Sequence, residues 1–113
     1  MSAWVDHNGT LFPADEPVLR LDNRAFHFGD GLFESMRVVG GRACFLDAHW
    51  ARLTTGAELL RITLPDGFDR QRFGEAIAAV VERSGINSGR ARFTLYRGGG
   101  GYYRPEQDAG QYA

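Results

Sequence analysis

RAFHFGDGLFESMRVV, residues 24–39, is the stretch that decides the expected fold, because a tight turn leads there into a strand of alternating character. Gly29-Asp30-Gly31 lacks the strand, glycine-rich turn and helix order of a dinucleotide-binding loop and predicts a simple turn. The residues from Leu32 to Val39 are mostly apolar and compatible with β structure. The two-residue period of a strand places Phe33, Ser35 and Arg37 on one face and puts on the other Leu32, Glu34, Met36 and Val38.

Further strand signals lie on both sides of this stretch. Asn8-Gly9, a pair that accepts positive φ easily, stands between two short apolar runs and predicts a hairpin near the N-terminus. Gly40-Gly41 predicts a second hairpin, which returns the chain through Arg42–Phe45. Val18–Leu21, which follows two prolines, is a short strand candidate. Arg90–Arg97 alternates polar and apolar residues and predicts the last strand.

Two helices are predicted between the second hairpin and the last strand. Asp47 is the candidate N-cap of the first helix, whose apolar stripe consists of Trp50, Leu53, Ala57 and Leu60. Asp69 is the candidate N-cap of the second helix, and Gly85 marks its end. Its apolar stripe consists of Phe73, Ile77, Val80 and Val81. The sequence therefore predicts an α+β fold, an antiparallel β-sheet layered with two helices.

Composition narrows the class of function. The chain has 113 residues, 43% of them hydrophobic, which suits one domain with a modest core. Its 13 basic and 14 acidic residues are interspersed, so neither nucleic acid nor an anionic membrane is an expected partner. The single cysteine, Cys44, and the absence of a signal peptide or a long apolar run favour the cytoplasm. All 13 basic residues are arginine, so the chain has no lysine.

The motif of residues 24–37, with Gly40-Gly41, Leu46, His49, Arg52-Leu53 and Leu60 after it, resembles the N-terminal domain of class IV aminotransferases. These are fold-type IV enzymes that depend on pyridoxal phosphate. Branched-chain aminotransferases, D-amino-acid aminotransferases and aminodeoxychorismate lyases share the pattern. The likeness runs from about Trp4 to Arg104. It implies that residues 1–105 form the N-terminal domain, that 106–113 begin an interdomain linker, and that the catalytic C-terminal domain is absent from this chain.

The same resemblance implies a cofactor and an assembly. Family members hold pyridoxal 5'-phosphate between two domains, usually in a homodimer whose partner subunit reaches into the site. The lysine that binds the cofactor covalently belongs to the second domain, as does the acid that pairs with the pyridine nitrogen. No catalytic residue is therefore expected in this chain, and without lysine the chain alone is expected to be inactive.

Arg52 is the expected cofactor-binding residue, because it matches the phosphate-contacting arginine of the family's His-x-x-Arg-Leu motif. A guanidinium offers paired, permanently charged donors that suit a phosphate. The alternative is a solvated arginine on an amphipathic helix. His49 precedes Arg52 by one helical turn and is expected to help orient it. The histidines are too few and too far apart to predict a metal site.

The resemblance also implies substrate-facing residues. Phe33, Ser35 and Arg37 match positions that line the substrate side of the cofactor, and Phe28 is expected to extend this wall. The alternative is a mixed sheet face covered by a helix, with Arg37 reaching water. Arg104, after the Gly98–Gly101 run, matches a segment that holds the substrate carboxylate. Where D-amino-acid aminotransferases have an arginine, this chain has a tyrosine, and the alternative for the segment is a surface loop.

Three functions remain open on the sequence alone. The first is transfer of an amino group between an amino acid and a 2-oxo acid, a branched-chain amino acid being one candidate. The second is pyruvate elimination of the aminodeoxychorismate lyase type, which uses the same cofactor. The third is a non-catalytic ligand-binding or assembly module, which applies if the 113 residues are the whole protein.

Overall fold

The computed structural model describes residues 3–99 and 107–113. Strands and helices follow one another in this order: β1 (Trp4–His7), β2 (Thr10–Pro13), α1 (Arg24–Phe28), β3 (Gly31–Val39), β4 (Arg42–Ala43), α2 (Leu46–Leu60), α3 (Arg70–Ser84), β5 (Ser88–Arg97) and β6 (Gly110–Tyr112). The predicted α+β class is confirmed, with one short helix more than the sequence indicates. None of the helices in the described residues is long and apolar enough to cross a membrane.

The main sheet is antiparallel, with four strands in the order β4-β3-β5-β6. β3 pairs with β5 along its whole length, from Gly31 opposite Tyr96 to Val39 opposite Ser88. A side chain at Gly31 has no room, because its Cβ would lie 2.6 Å from the Leu95 carbonyl oxygen. β1 and β2 form a separate hairpin around Asn8-Gly9, where both residues have positive φ as predicted.

One face of the main sheet packs on α2 and α3 and forms the core. The strands contribute the alternating buried residues Met36, Val38, Phe93 and Leu95. The helices contribute Leu53, Ala57, Phe73, Ile77 and Val81. Each of the larger of these side chains contributes about 1.5–3 kcal/mol when it leaves water. The packing explains why β3 is buried at every second residue, as its sequence pattern predicts.

The predicted N-cap is correct for α3 and wrong for α2. The Asp69 carboxylate accepts a hydrogen bond from the Arg72 backbone N–H at 2.9 Å, which caps α3. α2 begins earlier, at Leu46, after Phe45 in the left-handed conformation, and its N-cap makes no side-chain hydrogen bond. Asp47 lies in the first turn instead, where it suits the positive end of the helix dipole and accepts a 2.7 Å hydrogen bond from Arg70.

Two segments differ from the sequence expectation. Val18–Leu21 forms no strand, and the chain enters the short helix α1, whose first N–H groups bind the Asn23 side chain. The sequence suggests a linker beginning at 106–113, whereas Gly110–Tyr112 form β6 beside β5. Tyr112 packs on Phe93, their ring centroids 5.3 Å apart, so this end of the chain belongs to the core.

The buried tyrosines give the fold a predictable dependence on high pH. Burial raises the pKa of Tyr96, and a hydrogen bond with the Asn23 side chain lowers it by less than burial raises it. Burial also raises the pKa of Tyr112, and the negative charge of Asp6 adds to it. The unfolded chain, whose tyrosines have a pKa of about 10, then loses protons before the folded chain does. The free energy of unfolding should therefore fall as pH rises above about 10 and through the folded-state pKa values.

Urea unfolding at a series of pH values measures this fall. Lysine is absent and arginine stays charged, so tyrosine is the main group that titrates in this range. Replacing Tyr112 with phenylalanine removes one group whose pKa is raised and should make the fall shallower. If the free energy of unfolding falls as steeply with pH in Tyr112→Phe as in the wild type, Tyr112 does not contribute to that fall.

Candidate cofactor and substrate site

A buried carboxylate organises the residues around Arg52. Glu34 of β3 points to the helix-facing side of the sheet, and its side chain is only 3% exposed. The Arg52 Nε donates to both of its oxygens, at 3.1 and 3.0 Å. The His49 Nδ1 lies 2.7 Å from Glu34 Oε1. Because His49 and Arg52 are one turn apart on α2, a single carboxylate fixes both side chains.

Arg52 remains available to a ligand despite this contact. Its side chain is 73% exposed, and its terminal nitrogens make no hydrogen bond to residues 3–99 or 107–113. Glu34 thus holds Nε, and the two terminal nitrogens belong to a side chain that is mostly exposed. That geometry fits a phosphate group. The negative charge of Glu34 offsets part of the positive charge, so the fit depends on directed donors more than on net charge.

The role of Glu34 was missed in the sequence, although a signal for it exists. The period of β3 places Glu34 among buried apolar residues, and a buried carboxylate requires a partner. The same argument, applied to α2, would have pointed to His49 and Arg52.

The opposite face of the sheet is open where it carries Phe33, Ser35 and Arg37, whereas Tyr96, which pairs with Gly31 on the same face, is buried. Phe33, Ser35 and Arg37 lie on it together, as the strand period predicts, and all three are exposed. Both α2 and α3 pack on the other face. Neither α2 nor α3 therefore covers these three side chains in this chain.

The structure does not unite all of the expected site residues. Arg52 contacts Glu34, which points away from the open face, so Arg52 and the Phe33 set lie on opposite sides of β3. Phe28 ends α1 and is 41% exposed, with the Arg24 guanidinium carbon 4.9 Å from its ring centroid. Arg104 lies outside the described residues.

β5 adds cations to the open face that were missed in the sequence. Arg92 lies opposite Ser35, and Arg90 lies opposite Arg37. The Arg92 guanidinium carbon is 3.9 Å from the centroid of the Phe33 ring. The alternation of β5 could be predicted, but these neighbours depend on its register with β3, which no local pattern specifies.

A second group of charges lies at the other end of β5. Arg97 is 8% exposed, and its Nε donates to Asp30 at 3.1 Å. Its terminal nitrogens bind Asp108 and two backbone carbonyls at the end of α2. Arg24 donates to the same oxygen of Asp30 at 2.7 Å. Both arginines line a cleft of about 330 Å³ beside Tyr96, whose hydroxyl is 2.6 Å from His7 Nε2.

Comparison with known proteins gives the family. Residues 31–113 match the model of the amino-transferase class IV family, so the chain belongs to that family. It is 34% identical over 97 residues to the bifunctional aminodeoxychorismate lyase / D-amino acid transaminase of Mycobacterium tuberculosis. That alignment covers 83% of this chain and 32% of the relative, so the chain spans about a third of the relative's length.

Solved structures agree with this assignment. A hypothetical aminotransferase from Mycobacterium tuberculosis, solved in a PLP-bound form, matches with a TM-score of 0.78 and 29% identity. The match covers 99% of this chain and 38% of that one. The branched-chain aminotransferase of Thermoproteus uzoniensis, solved with norvaline, matches with a TM-score of 0.85 over 99% of this chain and 39% of that one. At 18% identity this second likeness shows the fold alone.

Proposed function

We propose that this chain is the N-terminal part of a pyridoxal-phosphate-dependent aminotransferase, which exchanges an amino group between an amino acid and a 2-oxo acid. Membership of the class IV family supports the reaction type. The observation that carries the cofactor assignment is Arg52, whose guanidinium is held at Nε by buried Glu34 while the side chain stays 73% exposed.

Each expected residue has a role in this proposal. Pyridoxal phosphate, when bound, supplies the electrophilic carbonyl and the electron sink that amino-group transfer requires. Arg52 binds its phosphate. Phe33, Ser35 and Arg37 line the substrate side, with Phe28 as a further wall and Arg104 as a further cation. The proposed enzyme is a cytoplasmic homodimer, and its covalent lysine comes from outside this chain.

A second candidate is pyruvate elimination from aminodeoxychorismate. The relative from Mycobacterium tuberculosis carries both activities in its name, which supports this second candidate. An assay of the full-length protein decides between the two. Amino-group transfer predicts formation of a new amino acid from a 2-oxo acid, with D- and L-amino acids and branched-chain amino acids tested as donors. Elimination predicts release of pyruvate from 4-amino-4-deoxychorismate without a 2-oxo acid.

The lack of lysine gives a direct prediction for the 113-residue chain. Without a side-chain primary amine, it should not bind pyridoxal phosphate covalently except through its N-terminal amine. Borohydride reduction followed by mass spectrometry measures this. We expect one cofactor adduct at most, located at the N-terminus and lost after N-terminal acetylation. An adduct that survives acetylation would contradict the prediction.

A further inference from the structure

Glu34 is a carboxylate among the apolar residues on the helix-facing side of β3. It stands between Leu32 and Met36 on that side, and its own side chain is only 3% exposed. A carboxylate that leaves water loses its hydration, and a buried ion pair is often no more stabilising than an apolar residue of similar volume. The packing of α2 on β3 therefore does not by itself require this carboxylate.

The partners of Glu34 indicate a role at the Arg52 side chain. Arg52 Nε donates to both carboxylate oxygens, at 3.1 and 3.0 Å, although the Arg52 side chain is 73% exposed. His49 Nδ1 lies 2.7 Å from Glu34 Oε1, so the imidazole is linked to Arg52 through the carboxylate that they share. One buried group thus restrains an arginine that would otherwise move in water.

Such a restraint matters for binding an anion. A long arginine side chain has many rotamers in water, and a bound ligand selects one of them at a cost in entropy. A hydrogen bond at Nε fixes the plane of the guanidinium and does not use its terminal nitrogens. Because the side chain is ordered before the ligand arrives, the ordering cost no longer reduces the affinity.

We propose that Glu34 is a positioning residue for the cofactor phosphate, which acts through Arg52, and that His49 supports it by holding Oε1. This inference rests on the proposed function, in which Arg52 binds the phosphate. Glu34 has two opposite effects on that phosphate. Its charge repels the anion, but water and salt screen the repulsion at a side chain as exposed as Arg52. The restraint of the guanidinium is not screened and is the larger effect.

The sign of the effect of Glu34→Gln tests the proposal. The variant keeps the side-chain length and one acceptor oxygen but loses the charge and the second acceptor. Repulsion alone predicts tighter binding of pyridoxal phosphate by this variant, whereas positioning predicts weaker binding. Equilibrium dialysis of the cofactor-free full-length enzyme should show a fall in affinity of about threefold to tenfold, the range of one hydrogen bond. The affinity for pyridoxal, which lacks the phosphate, should not change.

Two further variants serve as comparisons. Glu34→Asp keeps the charge but is one methylene shorter, so its affinity for pyridoxal phosphate should also fall. Asp47→Asn is the matched control, because Asp47 is another carboxylate that accepts from an arginine Nε, that of Arg70, at 2.7 Å. Since its partner is Arg70 and not Arg52, Asp47→Asn should leave the affinities for both ligands unchanged.

A double-mutant cycle tests the part assigned to His49. His49→Leu removes the donor to Oε1 and should lower the affinity for pyridoxal phosphate. His49→Asn keeps a side-chain N–H near the position of Nδ1 and should lower it less. In the Glu34→Gln variant, His49→Leu should have little further effect. If its effect is the same with Glu34 and with glutamine, His49 does not act through the carboxylate and that part of the proposal is wrong.

The Arg52 Nε–H group reports the restraint in the absence of cofactor. In the 113-residue chain its NMR signal should exchange slowly with water in the wild type and faster in Glu34→Gln and Glu34→Asp. Arg52→Lys identifies this signal among those of the 13 arginines. An exchange rate that stays the same in both Glu34 variants would overturn the positioning role.

Arg52→Ala distinguishes failure of this inference from failure of the proposed function. If it lowers the affinity for pyridoxal phosphate while Glu34→Gln raises that affinity or leaves it unchanged, the positioning role fails alone. If Glu34→Gln lowers the affinities for pyridoxal phosphate and pyridoxal equally, Glu34 acts on the fold and the positioning role again fails alone. If Arg52→Ala leaves the affinity for pyridoxal phosphate unchanged, the phosphate assignment of Arg52 is wrong and the role of Glu34 fails with it.

Discussion

Replacing Arg52 with alanine in the full-length enzyme should lower the affinity for pyridoxal phosphate about tenfold to a hundredfold. The loss arises because the terminal guanidinium nitrogens offer two charge-assisted donors to the phosphate, and alanine offers none. The structure adds a second effect. Arg52 Nε donates to both oxygens of buried Glu34, so the variant also leaves that carboxylate with His49 as its remaining described partner.

Pyridoxal, which lacks the phosphate, is the control ligand that separates the two effects. Equilibrium dialysis of the cofactor-free enzyme should show that Arg52→Ala lowers the affinity for pyridoxal phosphate and leaves the affinity for pyridoxal nearly unchanged. Arg52→Lys keeps the charge but loses the planar guanidinium, whose several N–H groups can donate to Glu34 and to a phosphate at the same time. Its affinity for pyridoxal phosphate should therefore lie between those of the wild type and Arg52→Ala. If the affinities for both ligands fall equally, Arg52 acts on the fold and its assignment to the phosphate is wrong.

Features that depend on local spacing could be predicted from the sequence. The two faces of β3 follow from its two-residue period, and they decide both the core and the open face. The Asp69 cap and the Gly85 stop depend on residues within one turn of each helix end. The Asp47 prediction failed because the N-cap is Phe45, in a left-handed conformation, so α2 begins two residues earlier than predicted.

Features that depend on register and long-range packing could not be predicted. Arg92 and Arg97 belong to the same strand, yet one stacks on Phe33 at the surface and the other is buried in a network of ion pairs. β6 has only three residues, and its place beside β5 is decided by the fit of Tyr112 among core aromatic rings. Such pairings join residues far apart in the chain, which a periodic pattern does not connect.

Replacing Arg97 with alanine should produce the largest loss of stability, about 3–5 kcal/mol, because it removes one partner from a buried ion-pair network. Arg97 is 8% exposed and donates to Asp30 and Asp108. It also donates to the Leu60 carbonyl at 2.7 Å and the Arg61 carbonyl at 3.1 Å, which satisfies the C-terminal end of α2. Alanine leaves these carbonyls without that donor and Asp30 with Arg24.

Urea unfolding of the wild-type chain and two variants measures this loss. Arg92→Ala is the matched control, because Arg92 lies on the same strand but is exposed, and its removal should change the free energy of unfolding by less than about 0.5 kcal/mol. A loss of 3–5 kcal/mol is a large share of the roughly 5–15 kcal/mol that stabilises a typical domain. Arg97→Ala should therefore be partly unfolded at elevated temperature, while Arg92→Ala stays folded. If the two variants are equally stable, the ion pairs around Asp30 do not stabilise the packing of β5 against the end of α2, and this prediction is wrong.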